Sequence, residues 1–155
     1  MLSEFKELPG HSRIWIYASE KKLSVNEQDF IIEKLSIFLS SWNSHKKELK
    51  AGINIIKNHF IIVALNEEMN KASGCSIDSL NHEIHKIEKK LSINLMNRLN
   101  VYCNFDEKIH CIPSVKLSEF ANSETLFYDL TIQTKNDLSK FLKPIAEGWC
   151  KNLVF

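Results

Sequence analysis

Apolar and polar positions change period several times along the chain, and each change marks an element. Arg13-Ile-Trp-Ile-Tyr-Ala18 is rich in β-branched and aromatic residues and follows Pro9-Gly10, which predicts a first strand after an irregular N-terminal arm. Ser24-Val-Asn-Glu27 has the spacing of a capping box, in which the serine hydroxyl and the glutamate carboxylate each take the other's backbone N–H, so a helix starts there. Its apolar stripe is Ile31, Leu35, Phe38 and Trp42, recurring at i, i+4, i+7 and i+11. Leu49, Ala51, Ile53 and Ile55 then alternate with Lys50, Gly52 and Asn54, the period of a strand with one solvated face. Asn58-His59 predicts a tight turn into Phe60-Ile-Ile-Val-Ala-Leu65. That run has no polar residue, so it is expected to be covered on both faces, as a central strand antiparallel to the one before it.

Residues 66–72 read as a loop. Leu80, Ile84, Ile87 and Leu91 form a second helical stripe, with His82, Glu83, Lys86, Lys89 and Lys90 left to the outer face. Residues 92–98 suggest one more short helix, and residues 101–105 and 108–112 flank Asp106-Glu107 as a hairpin closed by Pro113. A short helix over 114–121 and a strand over 125–132 follow; Thr134-Lys-Asn-Asp137 then caps a helix to Lys143, and Pro144 is expected at the N1 position of a terminal helical segment. The order predicts an α+β fold: a mixed or antiparallel sheet with helices on one face, arranged as a ferredoxin-like β-α-β-β-α-β core with a C-terminal hairpin and helix extension.

Composition narrows the function classes. With 155 residues, 44% hydrophobic and 25% charged, the chain is expected to form a single domain over 1–155 with one substantial core. Twenty Lys and Arg against 19 Asp and Glu leave a formal charge of +1, which argues against nucleic acid as a partner, since non-specific binding to phosphates needs a broad basic footprint. The first residues lack the basic start and apolar core of a signal peptide, and no apolar run approaches the roughly 18 residues of a membrane span. A cytoplasmic protein with no membrane partner is therefore expected. The four cysteines are too scattered for a disulfide framework and are read as reduced.

Familiar catalytic signals are missing. None of Gly10, Gly52, Gly74 and Gly148 opens a Gly-Lys-Ser/Thr phosphate cradle, so ATP hydrolysis of the P-loop class is not expected. No C-x-x-C is present. His82-Glu-Ile-His85 has its histidines three apart instead of four, and a third ligand would have to come from elsewhere; the outer-face lysines favour a solvated helix face, and no metal or cofactor is assigned. His110 and Cys111, adjacent in a strand, point to opposite faces. Cys103, Cys111 and Cys150 read as small hydrophobes.

Cys75 is different. It follows Ser73-Gly74 at a helix start, where unpaired N–H groups and the positive end of the helix dipole favour thiolate over thiol. Ser73, Gly74, Ser76 and Asp78 are the accompanying candidates for ligand or partner binding, with Gly74 permitting close backbone approach. The competing reading is a plain cap, with Ser76 or Asp78 satisfying the first amides and Cys75 filling a small apolar space; Asp78 also opposes thiolate formation. Arg13, Trp15, Tyr17, Trp42, His45, Lys46 and Lys47 would form a partner surface if the tryptophans were exposed, against core packing for both. Two functions stay open: a non-enzymatic module for a protein partner or small ligand, and a thiol-dependent enzyme or redox sensor using Cys75.

Pro9-Gly-His-Ser-Arg-Ile-Trp-Ile-Tyr17, residues 38–45 with Trp42 and His45, and Ala72-Ser-Gly-Cys-Ser-Ile-Asp78 together resemble a small family of uncharacterised bacterial proteins whose members often carry the label "ABC transporter ATPase". The resemblance covers most of the chain and implies a bacterial cytoplasmic protein. It brings no catalytic residue, cofactor or fold, and the ATPase label has no phosphate-binding loop behind it in these residues.

Overall fold

A computed structural model describes residues 1–154 as an α+β structure with antiparallel sheets. The chain forms two compact units, the first built from Met1–Met96 with Gln133–Asn136, the second from Asn97–Ile132 and the stretch from Asp137 onward.

In the first unit the elements run β1 (Arg13–Ala18), α1 (Val25–Ser40), β2 (Asn43–Ser44), β3 (Lys47–Glu48), β4 (Lys50–Ile56), β5 (Phe60–Asn66) and α2 (Gly74–Leu91). The main sheet has the order β1-β5-β4, with both pairings antiparallel. β5 is therefore central, as its lack of polar residues requires. Along β5, Ile61, Val63 and Leu65 join Tyr17 and Ala51 in one core cluster with Ile31, Leu35 and Leu39 of α1 and Leu80, Ile84 and Ile87 of α2, so both helices cover the same face. The alternate residues Phe60, Ile62 and Ala64 are also fully buried.

The helix ends follow local chemistry. Ser24 and Glu27 form the expected capping box: Ser24 Oγ accepts the Glu27 N–H at 3.1 Å and Glu27 Oε1 accepts the Ser24 N–H at 2.9 Å. α1 stops at Ser40, so Trp42 lies beyond the helix; the buried stripe ends on Leu39, with Phe38 half-buried. The tight turn before β5 is centred on Lys57-Asn58, with φ of 56° and 60°, instead of on Asn58-His59. His59 is buried, with its ring Nδ1 3.0 Å from the Ser19 carbonyl. Residues 92–98 form no helix. Ser92 takes a left-handed φ of 54° as the C-cap of α2, and the Glu88 carboxylate then accepts the Leu95 and Met96 N–H groups at 2.7 and 3.1 Å, diverting the backbone from helical pairing.

Both edges of the sheet are tied down from within this unit. Ser3 N–H donates to the Ala51 carbonyl at 2.8 Å on the β4 side. The approach is close enough that a Cβ on Gly52 would stand 2.6 Å from the Ser3 carbonyl oxygen. On the β1 side, Ile14 N–H donates to the Gln133 carbonyl at 3.0 Å, and Lys135 Nζ donates to the Phe5 and Leu8 carbonyls at 2.8 and 2.7 Å.

The pairing does not reproduce the ferredoxin-like arrangement. There, the strand after the second helix would return to the same sheet; here it begins the second unit. That unit contains β6 (Asn100–Phe105), β7 (Lys108–Pro113), α3 (Leu117–Phe120), β8 (Leu126–Tyr128) and β9 (Leu142–Pro144), in the sheet order β7-β6-β8-β9. The β6–β7 hairpin turns at Asp106-Glu107, both at positive φ (53° and 64°) as the favoured two-residue turn demands. Val101, Cys103, Ile112, Leu117, Phe127, Ile145 and Cys150 form its core. β8 ends at Tyr128, well short of residue 132, because Asp129 turns the backbone: its carboxylate accepts the Thr131 N–H and hydroxyl at 2.9 and 2.5 Å and the Lys143 ammonium at 2.7 Å. The expected helix to Lys143 is a 3-10 segment over Lys135–Lys140 followed by β9, and Pro144 sits at the N-cap position of one 3-10 turn, Ile145–Glu147. Among the described residues no helix is long and apolar enough to cross a membrane.

Candidate functional site

Two segments about thirty residues apart in sequence meet at the end of α1 and the start of α2. On the α2 side, Ser73 is the N-cap: its Oγ accepts the Ser76 N–H at 3.1 Å, while its own N–H donates to Ser76 Oγ at 2.6 Å. This is a capping box closed by serine where glutamate is usual. Of the two side chains expected at the first amides, Ser76 takes part in the cap, and Asp78, which is exposed, does not. Cys75 occupies the next exposed position, and its carbonyl accepts the Ser79 hydroxyl at 2.9 Å. On the α1 side, Trp42 leaves the helix and turns inward. Its indole N–H donates to the Ser76 carbonyl at 2.8 Å, and its ring packs edge-on against Trp15 with centroids 5.8 Å apart.

Next comes the β2–β3 hairpin, whose turn residues His45 and Lys46 have φ of 51° and 68°. The turn sets His45 at the rim of a cavity of about 240 Å³ that Phe38, Ser41, Trp42, Asn43, Ser73, Cys75, Ser76 and Ser79 complete. Among these lining residues no side chain is a lysine, arginine or carboxylate. Polarity comes from hydroxyls, an amide, an imidazole and the thiol.

Of the residues singled out in the sequence, Trp42, His45, Ser73, Cys75 and Ser76 line this cavity; Gly74 and Asp78 do not. Space around Gly74 is open, with nothing within 4 Å of where a Cβ would sit. Asn43, Ser79 and Ser41 carried no chemical signal of their own. The turn-forming Asn43-Ser-His-Lys46 string was the available clue to the hairpin that carries His45. Cys75 Sγ makes no hydrogen bond to any described residue, the His45 ring included. Trp42 is buried and Trp15 half-buried, so the partner surface that required both exposed does not form; both pack against the core, Trp15 with part of its ring left open.

Cys103 and Cys150 are spent on packing in the core of the second unit. Burial, reinforced by the neighbouring Cys150 and Cys111, pushes the Cys103 thiol up to about 12. Burial likewise pushes Cys150 up to about 11. Neither is a nucleophile in the folded chain. His85 is engaged by Glu88, Nδ1 to Oε1 at 2.7 Å, and among the described residues no three His, Cys, Asp or Glu side chains gather as metal ligands would.

Comparison with known proteins returns no match to a family model, to a curated protein or to a solved structure.

Proposed function

We propose that the protein is a cytoplasmic, non-enzymatic binding module whose recognition site is the Trp42–Cys75 cavity, and that its ligand is a small uncharged polar molecule or the side chain of a protein partner. The observation that carries this reading is the Trp42 indole donating to the Ser76 carbonyl, which welds two separate segments into the wall of one cavity. Welded walls suit recognition, because a preformed cavity loses little conformational entropy on binding. The lining favours a neutral ligand, since no lysine, arginine or carboxylate stands there to balance a charge. Two of the three segments that resemble the bacterial family, residues 38–45 and 72–78, supply all of that lining except Ser79.

The test is a fragment screen by protein-observed NMR on the full chain. Saturable shifts are expected to cluster on the Trp42 indole N–H and the Ser73, Cys75 and Ser79 amides, and to vanish in Ser79→Phe, which fills the cavity from the exposed face of α2. Shifts that persist in Ser79→Phe, or that lie elsewhere, would sink the assignment.

A thiol-dependent role is the second reading, favoured by the exposed Cys75 and His45 sharing one cavity. Exposure alone makes Cys75 react faster with iodoacetamide than buried Cys103 or Cys150, so the informative comparison is with the unfolded chain. Folded Cys75 reacting faster than unfolded Cys75, and slower in His45→Ala, would establish activation. Equal or slower reaction in the folded state leaves the binding module.

A further inference from the structure

A second cavity, of about 450 Å³, lies in the first unit and is lined in part by His11, Arg13, Trp15, Glu67 and Thr134. Its size falls within the range of small-molecule sites, roughly 300–1,000 Å³. Arg13 opens β1, and Trp15, two residues on, shares its face of the strand. The guanidinium carbon stands 4.7 Å from the centroid of the Trp15 ring, a stacked arrangement that orients the planar fork without using its N–H donors. Among the described residues those donors make no hydrogen bond. The ion pair of Arg13 there is a long 4.0 Å contact to Glu67 Oε2, and that oxygen already accepts the Ala72 N–H at 3.1 Å. His11, by contrast, is engaged by Glu68, Nε2 to Oε1 at 2.9 Å.

We propose that this cavity is an oxyanion site in which Arg13 takes the carboxylate of a small monoanion bearing an apolar body. A pre-oriented guanidinium matches the two oxygens of a carboxylate with two parallel N–H donors. Glu67 sets the charge of the ligand. Its carboxylate shares the cavity wall with Arg13, so a second negative charge on the ligand is repelled and a carboxylate is preferred to a phosphate group. Trp15 offers apolar surface beside the fork for the body of the ligand. The site uses no residue of the Trp42–Cys75 cavity, and the two assignments stand or fall separately.

Benzoate, acetate and inorganic phosphate, titrated separately into the full chain, test the proposal through the Arg13 Nε–H and Trp15 indole N–H resonances. Benzoate is expected to give saturable shifts, tighter than acetate and tighter than phosphate. Arg13→Gln should weaken benzoate by about tenfold or more, and Arg13→Lys, which keeps the charge and loses the fork, should fall between. Glu67→Gln should tighten all three anions and narrow the preference for benzoate over phosphate. Thermal melts establish that each variant is folded; should Arg13→Gln unfold, Arg13→Lys and Glu67→Gln decide the matter. Absence of saturation, affinities indifferent to these substitutions, or phosphate binding more tightly than benzoate would each overturn the assignment.

Discussion

Asp129 illustrates how one side chain ends a strand and resists acid at the same time. Burial alone would raise its carboxyl group, but the Lys143 ammonium and the Thr131 hydroxyl and amide outweigh burial and hold it below the usual carboxylate range. A folded value below the unfolded one of about 3.9 gives stabilisation that is complete above that value and is lost as pH falls through the folded value. Asp129→Asn is therefore expected to destabilise the chain at pH 7 by about 2–4 kcal/mol, because Lys143 keeps its charge in a largely buried position without a carboxylate. Denaturant midpoints of both proteins should converge as pH drops below the folded value. A gap that stays constant with pH would assign Asp129 a purely geometric role.

Among the elements, β5 carries the strongest sequence signal and makes the plainest prediction. Ile62 is fully buried in the central strand, paired with Ile16 on one side and Asn54 on the other. Ile62→Asp would bury a charge with no partner, at a cost of several kcal/mol that is on the order of the whole stability of a domain. The variant should be insoluble or lack a cooperative melting transition; a soluble, cooperatively folded Ile62→Asp protein would contradict the burial of both faces. β1, the Ser24–Glu27 cap, the β6–β7 hairpin and the core face of α2 were legible for the same reason as β5: each follows from neighbours close in sequence. What escaped notice depended on distant or irregular contacts. Thr131 and Lys143 shorten β8 through a carboxylate, Glu88 draws off the amides expected in a short helix, and the β2–β3 hairpin is only two residues to a strand. The candidate site was half legible. Helix-start chemistry pointed to Ser73 and Cys75, and Trp42 and His45 stood out only as a separate aromatic and basic group; their meeting in one wall arises from folding α1 against α2, which no local pattern announces.

At the scale of the molecule, the first unit is discontinuous in sequence: Gln133–Asn136 complete what Met1–Met96 begin. Lys135 is the anchor, with its ammonium on the Phe5 and Leu8 carbonyls and 5.1 Å from the Phe5 ring centroid. A fragment of residues 1–96 is accordingly expected to unfold at lower denaturant than the first unit within the full chain, and to aggregate more readily, since the Ile14 amide loses the Gln133 carbonyl at a sheet edge. Equal midpoints would show that the four-residue segment adds nothing. During translation the amino end emerges first, at about 5–20 residues per second, so the ribosome makes the whole of residues 1–96 several seconds before the clasp that closes them. The nascent chain spends that interval with the β1 edge open to other chains. Slowing synthesis between residues 96 and 133 would lengthen the exposure and raise the demand for a chaperone that shields strand edges.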